Sequence, residues 1–291
     1  MKTFLGLILL VPEQFNEKCL TNHSAEDRYA SYSPDGSQIV FESNRNGNWD
    51  IFIMNPSGDG VKQLTEGPGN YRRPYWNPSG SSVIYESVDK NELMEIDLSN
   101  NSTSVILSVK ELSVNGIFGK IQFPRYSPKE QKFSFTLVEN DTLMNIFIYD
   151  REKETIEEVF VNPYRTVYAS WGTKGNRIVF HSRHDTENKT DEIYEINLRD
   201  KSIRRLTNWP QHNFCPSYSP KDKYIVYSVS QVDNRPEIFI MKRDGSDQKQ
   251  ITFNSDGDTL PAWSPDGQKL LVTAYRNGNY EICEIDVSGL D

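Results

Sequence analysis

Six copies of one phrase, spaced 44 to 50 residues apart, predict an all-β chain folded as a six-bladed β-propeller of four-stranded antiparallel blades. The copies are YSPDGSQIVF from Tyr32, WNPSGSSVIY from Trp76, YSPKEQKFSF from Tyr126, WGTKGNRIVF from Trp171, YSPKDKYIVY from Tyr218 and WSPDGQKLLV from Trp263. Two further observations agree. Each phrase is a turn followed by a β-branched and aromatic run, and the N-terminus offers the one strand that the last repeat lacks.

The innermost strand of each blade ends on the phrase's leading aromatic. Two residues earlier stand Ala30, Pro74, Pro124, Ala169, Pro216 and Pro261. Short or cyclic side chains suit the axis, where blades converge, and an inner edge strand can do without the proline N–H. The Ser-Pro-Asp-Gly turn comes next. Proline presets φ, the aspartate caps the turn and glycine takes positive φ, which accounts for Asp35, Gly36, Asp266 and Gly267. The second strand is a run such as Ile39-Val40-Phe41 or Ile178-Val179-Phe180. The third opens on an acid or amide, Asp50, Asn145, Glu192, Glu237 or Glu281, with a weaker copy at Glu92-Leu93-Met94. One such residue per blade at a fixed place marks a structural device, whereas acid–base catalysis needs a specific pair with split pKa values. The outer strand ends in Leu/Ile-Thr, as in KQLT from Lys62, RRLT from Arg204 and KQIT from Lys249.

The last repeat stops after its third strand, and KCLTNHSAEDRYASYSP from Lys18 reads like KQLTEGPGNYRRPYWNP from Lys62. Residues 17–21 are therefore expected to pair with the final strand and remove the open edge. Residues 17–291 then form a single domain. Aligning the repeats sets Cys19 beside Cys283 if Phe52 lies opposite Gln63, so these two are candidates for a disulfide. Cys215 reads as a small buried residue.

The 291 residues carry 32 Lys+Arg against 41 Asp+Glu, a net charge of −9. No cationic run is present, so nucleic acid is not an expected partner. Three cysteines make no disulfide scaffold. Hydrophobic residues are 36%, but 15 Tyr, 14 Phe and 5 Trp supply an aromatic core. Residues 1–16 read as a signal segment or a tail. The apolar stretch Phe4 to Val11 is too short to span a bilayer, which takes about 20 residues. It suits a short signal core of roughly 7–15 residues, although no small-residue cleavage site follows it. A periplasmic or secreted location is preferred over the cytoplasmic alternative.

These phrases resemble the repeats of the TolB C-terminal β-propeller, with its Ser-Pro-Asp-Gly turn, Asp-Ile-Phe strand and Leu-Thr ending. The resemblance runs from Lys18 over nearly the whole chain. It implies the fold, and a role as a platform for protein interaction. Related repeats occur in the propellers of prolyl-oligopeptidase-like peptidases and of some polysaccharide lyases. These 291 residues hold neither the α/β domain that precedes the TolB propeller nor a Gly-x-Ser-x-Gly elbow, so neither a Tol-system role nor peptidase activity is expected. Fold alone does not give function.

A site is expected on the channel face that bears the blade-to-blade loops and the second-to-third-strand loops. The candidates there are Trp49, Tyr71, Arg72, Arg73, Arg165, Tyr168, His212 and Tyr280. Arginine and aromatic residues anchor protein interfaces, and arginine grips carboxylates. Arg45 and Arg276, each five residues before an acid, are read as braces to Asp50 and Glu281. Arg72, Arg73 and Arg165 have no such partner in the repeat and are favoured for binding. The reading is a non-enzymatic, monomeric propeller that takes a protein or peptide at this mouth and needs no cofactor. The alternative is a saccharide lyase or hydrolase with a divalent metal on His181, His184 and His212. Their spacing matches no metal signature, and His181 shares a repeat column with Glu42, Glu86, Thr136, Ser228 and Thr273.

Overall fold

The computed structural model describes residues 15–114, 116–140, 142–186, 189–230, 235–254 and 256–290. The expected signal core, Phe4 to Val11, lies outside them. The described residues form six four-stranded antiparallel sheets arranged as a propeller. The first blade is Asp27–Tyr32, Ile39–Ser43, Asp50–Met54 and Lys62–Gln63, running from axis to rim. The last runs Asp258–Trp263, Lys269–Arg276 and Asn279–Asp286, and its outer strand is Glu17–Cys19 from the other end of the chain. Second and third strands are buried on both faces between blades, which explains their unbroken apolar runs. The 50-residue interval between Trp76 and Tyr126 holds a helix, Val109–Val114, whose Leu112 is buried against Phe133 and Phe135. Nothing in the repeat pattern announces this helix.

Closure follows the expected register. Phe52 lies opposite Gln63, and Cys19 lies opposite Cys283. The two cysteines form a disulfide across 264 positions of sequence.

The recurring acid and the Leu/Ile-Thr ending work together. In the first blade Thr65 Oγ1 donates to Asp50 at 2.8 Å and accepts the Ile51 N–H at 3.0 Å. Thr252 does the same with Glu237 and Ile238, and Thr207 with Glu192 and Ile193. In the last blade Thr21 takes this place on Glu281 and Ile282, so the N-terminal strand brings its own clasp.

Neighbouring blades meet in two alternating ways. Trp76, Trp171 and Trp263 donate their indole N–H to a carbonyl of the preceding blade, on Ser31, Arg125 and Ser217. They pack in clusters that contain Ile53, Ile148 and Ile240 of that blade's third strand. Tyr32, Tyr126 and Tyr218 instead donate their hydroxyls to Glu284, Glu95 and Glu195. The third-strand position that is isoleucine before a tryptophan blade is glutamate before a tyrosine blade.

Each innermost strand carries a bulge. At the bulge Tyr29, Arg73, Phe123, Tyr168, Cys215 and Leu260 all have φ between 51° and 63°. Left-handed conformations cost non-glycine residues free energy. Four of these six N–H groups have a side-chain acceptor on the neighbouring blade's second strand. Tyr29 donates to Thr273 at 3.2 Å, Arg73 to Glu42 at 2.7 Å, Phe123 to Glu86 at 2.5 Å and Cys215 to His181 Nδ1 at 3.3 Å. This is the column that the sequence groups with His181, and receiving the next blade's bulge is its role.

Candidate functional site

The bulges turn their side chains into the channel. Tyr168, Cys215 and Leu260 form one apolar cluster with Tyr29 and Phe123, and the Arg73 guanidinium lies 4.4 Å from the Phe123 ring. They narrow the channel beneath a cavity of about 450 Å³ on the predicted face. The charged lining is Arg28, Arg165, Arg183 and Asp191, with His181 and His212 beside them. Three arginines against Asp191 and Glu26, which pairs with Arg28 at 2.5 Å, leave this mouth cationic on a chain of net charge −9.

Asp191 organises one wall. Its carboxylate lies 3.0 Å from His212 Nδ1, 3.2 Å from Arg183 and 3.8 Å from Arg165. Burial pushes the Asp191 carboxyl up, but the Arg165 and Arg183 guanidinia oppose it, and the carboxyl is held below the usual range. The Arg165 Nε–H is buried without an acceptor. His181 is buried, and its pKa is pushed down to about 3 by desolvation. It is therefore neutral, and the Cys215 N–H contact at Nδ1 puts its proton on Nε2.

Arg28 and Tyr280 also line the cavity, and they belong to a stack of cations and rings. Arg28 lies 3.9 Å from the Tyr280 ring and 5.7 Å from Trp49, and Arg72 covers the same Trp49 at 4.2 Å. The sequence singled out Trp49, Arg72 and Tyr280 separately, and the fold brings them together through Arg28, which it did not single out.

Other expectations need correction. Arg72 pairs with the fully buried Glu42 at 2.6 Å, and Arg73 with Glu86 at 2.5 Å. Both therefore brace the blades, because each neutralises a carboxylate of the bulge-receiving column. Tyr71 lies away from the cavity, edge-on to Tyr85 at 5.7 Å. Arg45 and Arg276 are braces, but to Asp27 at 2.8 Å and Asp258 at 2.6 Å. Those aspartates start the innermost strand and pair with Ser43 and Ala274 of the second strand, each two residues before its arginine. Asp50 and Glu281 are already clasped by threonines.

The three histidines do not gather. His181 and His212 line the cavity, whereas His184 packs among Phe160, Tyr164 and Tyr194. Among the described residues, the one trio of donor atoms close enough to share a metal is Glu17, Cys19 and Cys283. Its two sulfurs are joined to each other, so these residues do not fit a metal centre.

Sequence reading also missed Arg125. It occupies the column just before the leading aromatic, which elsewhere holds Ser31, Tyr75, Ser170, Ser217 and Ala262. A single charge in an otherwise neutral column was the available signal.

Among known proteins, the Tol-Pal system protein TolB of Alcanivorax borkumensis is 30% identical over 103 residues, covering 34% of this chain. The match spans 23% of that protein's length. The crystal structure of TolB from Acinetobacter baumannii superimposes with a TM-score of 0.66 at 18% identity, over 91% of this chain and 64% of that one. An oligogalacturonate lyase in complex with manganese gives 0.66 at 15% identity, over 95% and 97%. At these identities the two structures speak for the fold alone. The family model of the TolB beta propeller domain matches residues 8–115 and 184–291, and the chain belongs to that family.

Proposed function

We propose that the chain is a non-enzymatic binding propeller that takes an acidic segment of a protein or peptide at the mouth formed by Arg28, Arg165, Arg183, His212 and Tyr280. The observation that carries this reading is the cationic, aromatic-walled cavity of about 450 Å³ on an acidic protein. Arg165 is its best-placed anchor. Its nearest carboxylate is 3.8 Å away and is shared with Arg183 and His212, so the guanidinium can turn to a ligand carboxylate at little cost. An extracytoplasmic location accompanies the reading, because the Cys19–Cys283 disulfide suits an oxidising compartment.

The test is capture from the native envelope fraction by immobilised wild type and by Arg165→Gln/Arg28→Gln, with the captured proteins identified by mass. These changes leave Asp191 paired with Arg183 and His212. Wild type should enrich a defined partner that the variant loses at unchanged Tm. An identical captured set would refute the reading.

A second reading, a saccharide lyase or hydrolase, rests on the Asp191–His212 pair, an orientation suited to a general base. Turnover of acidic oligosaccharides by wild type, abolished in His212→Ala, would favour it over binding alone.

A further inference from the structure

Arg125 lies in the channel below the bulge ring and is 8% exposed. Its guanidinium sits between two rings, 4.7 Å from Tyr75 and 4.9 Å from Tyr168. One Nη1–H donates to the Pro124 carbonyl at 2.9 Å. Among the described residues, no carboxylate lies within ion-pair distance of it. This sets it apart from Arg45, Arg72, Arg73 and Arg276, each of which meets an acid at 2.5–2.8 Å. Arginine does not deprotonate in proteins, and an unpaired buried ion is strongly unfavourable. Cation–π contact with the two rings offsets part of that cost.

The surroundings point the same way. Arg125 faces a void of about 40 Å³ whose wall includes Ser31, Ser170, Ser217 and Tyr75 and no acid. The Ser31 hydroxyl is buried and finds no hydrogen-bond partner in the protein. A cation without an anion and a hydroxyl without a partner thus border one small space. The space exceeds the roughly 10–15 Å³ that one water-sized sphere needs, and it is far too small for a sugar or a phosphate ester.

We propose that the middle of the channel is a binding site for a single monovalent inorganic anion of halide size, held by the Arg125 guanidinium and the Ser31 hydroxyl. The anion supplies the counter-charge that the fold omits and ties the axial ends of the first and third blades together. Tyr29, Tyr168 and Leu260 border both this void and the mouth cavity, so the ion lies directly beneath the mouth.

Crystals of the wild-type protein soaked in sodium bromide test the site directly. An anomalous peak is expected between the Arg125 guanidinium and Ser31 Oγ, and its absence there would overturn the proposal. In solution, Tm is compared in sodium bromide and in sodium gluconate, whose anion is too large for the void, at equal ionic strength. Wild type should gain several degrees with saturating dependence on bromide. Arg125→Met removes the charge at similar length and should melt at the same temperature in both salts. Equal responses of wild type to the two salts, or a bromide gain in Arg125→Met matching the wild type's, would overturn it. If that variant does not fold, the soaked wild-type crystal decides alone.

Discussion

Breaking the Cys19–Cys283 bond should cost this propeller more stability than any other single change in the closing strand. The bond closes a loop of 264 sequence positions. In the chain-entropy model such a loop lowers the entropy of the unfolded chain by about 19 cal/mol/K, or about 5.6 kcal/mol at 25 °C. What else holds the strand is modest. Its three residues are exposed, and it is fixed by main-chain pairing, the Thr21 clasp and the Arg276–Glu17 ion pair at 2.7 Å. Cys19→Ser is the informative variant, since Cys19 is exposed whereas Cys283 is fully buried. Urea unfolding at equilibrium should show a loss of about 4–6 kcal/mol and a larger m-value, because the unlinked denatured chain exposes more surface. Wild type in a phosphine reductant should match the variant. A loss below about 1 kcal/mol, or three titratable thiols in unreduced wild type, would refute the reasoning.

Two smaller perturbations probe the repeat devices. Thr252→Val removes the donor to buried Glu237 and the acceptor for Ile238 N–H, and should cost about 2–3 kcal/mol in urea unfolding; a change under 0.5 kcal/mol would show the clasp to be idle. His181 has its folded pKa depressed from 6.5 to about 3. The unfolded chain therefore takes up a proton that the folded one refuses, and stability should fall by about 2 kcal/mol between pH 7.5 and pH 5. His181→Gln should remove that part of the slope, and an unchanged pH profile in the variant would contradict the neutral, buried assignment.

The architecture was legible because its rules are local and recur. Turn chemistry, β-branched runs and a repeat-sized period needed no tertiary knowledge, and aligning KCLT with KQLT was enough to place Cys19 on Cys283. Where the true partner lies farther along the chain than a competing acid, the pattern misled. Arg45 stands five residues from Asp50 but bonds Asp27, because the threonine of a distant strand has already engaged Asp50. Arg72 and Arg73 looked unattached because their carboxylates, Glu42 and Glu86, sit in a column whose purpose only the bulge reveals. The structure has a cavity on the face that the sequence nominated. Its grouping of Arg28 with Trp49 and Tyr280 depends on the first and last blades meeting, which closure alone brings about.

The alternation of tryptophan and tyrosine contacts has a consequence for how such a ring can change size. A tryptophan blade fits behind isoleucine, and a tyrosine blade fits behind glutamate. The structural unit is thus a pair of blades, and three pairs make the circle. Removing one blade would set a tyrosine hydroxyl against isoleucine or an indole against a buried carboxylate, leaving a polar group stranded at the junction. Removing or adding a neighbouring pair keeps every junction matched. The ring is divisible by two and not by one, and grafts between propellers built this way should exchange blades of the same parity.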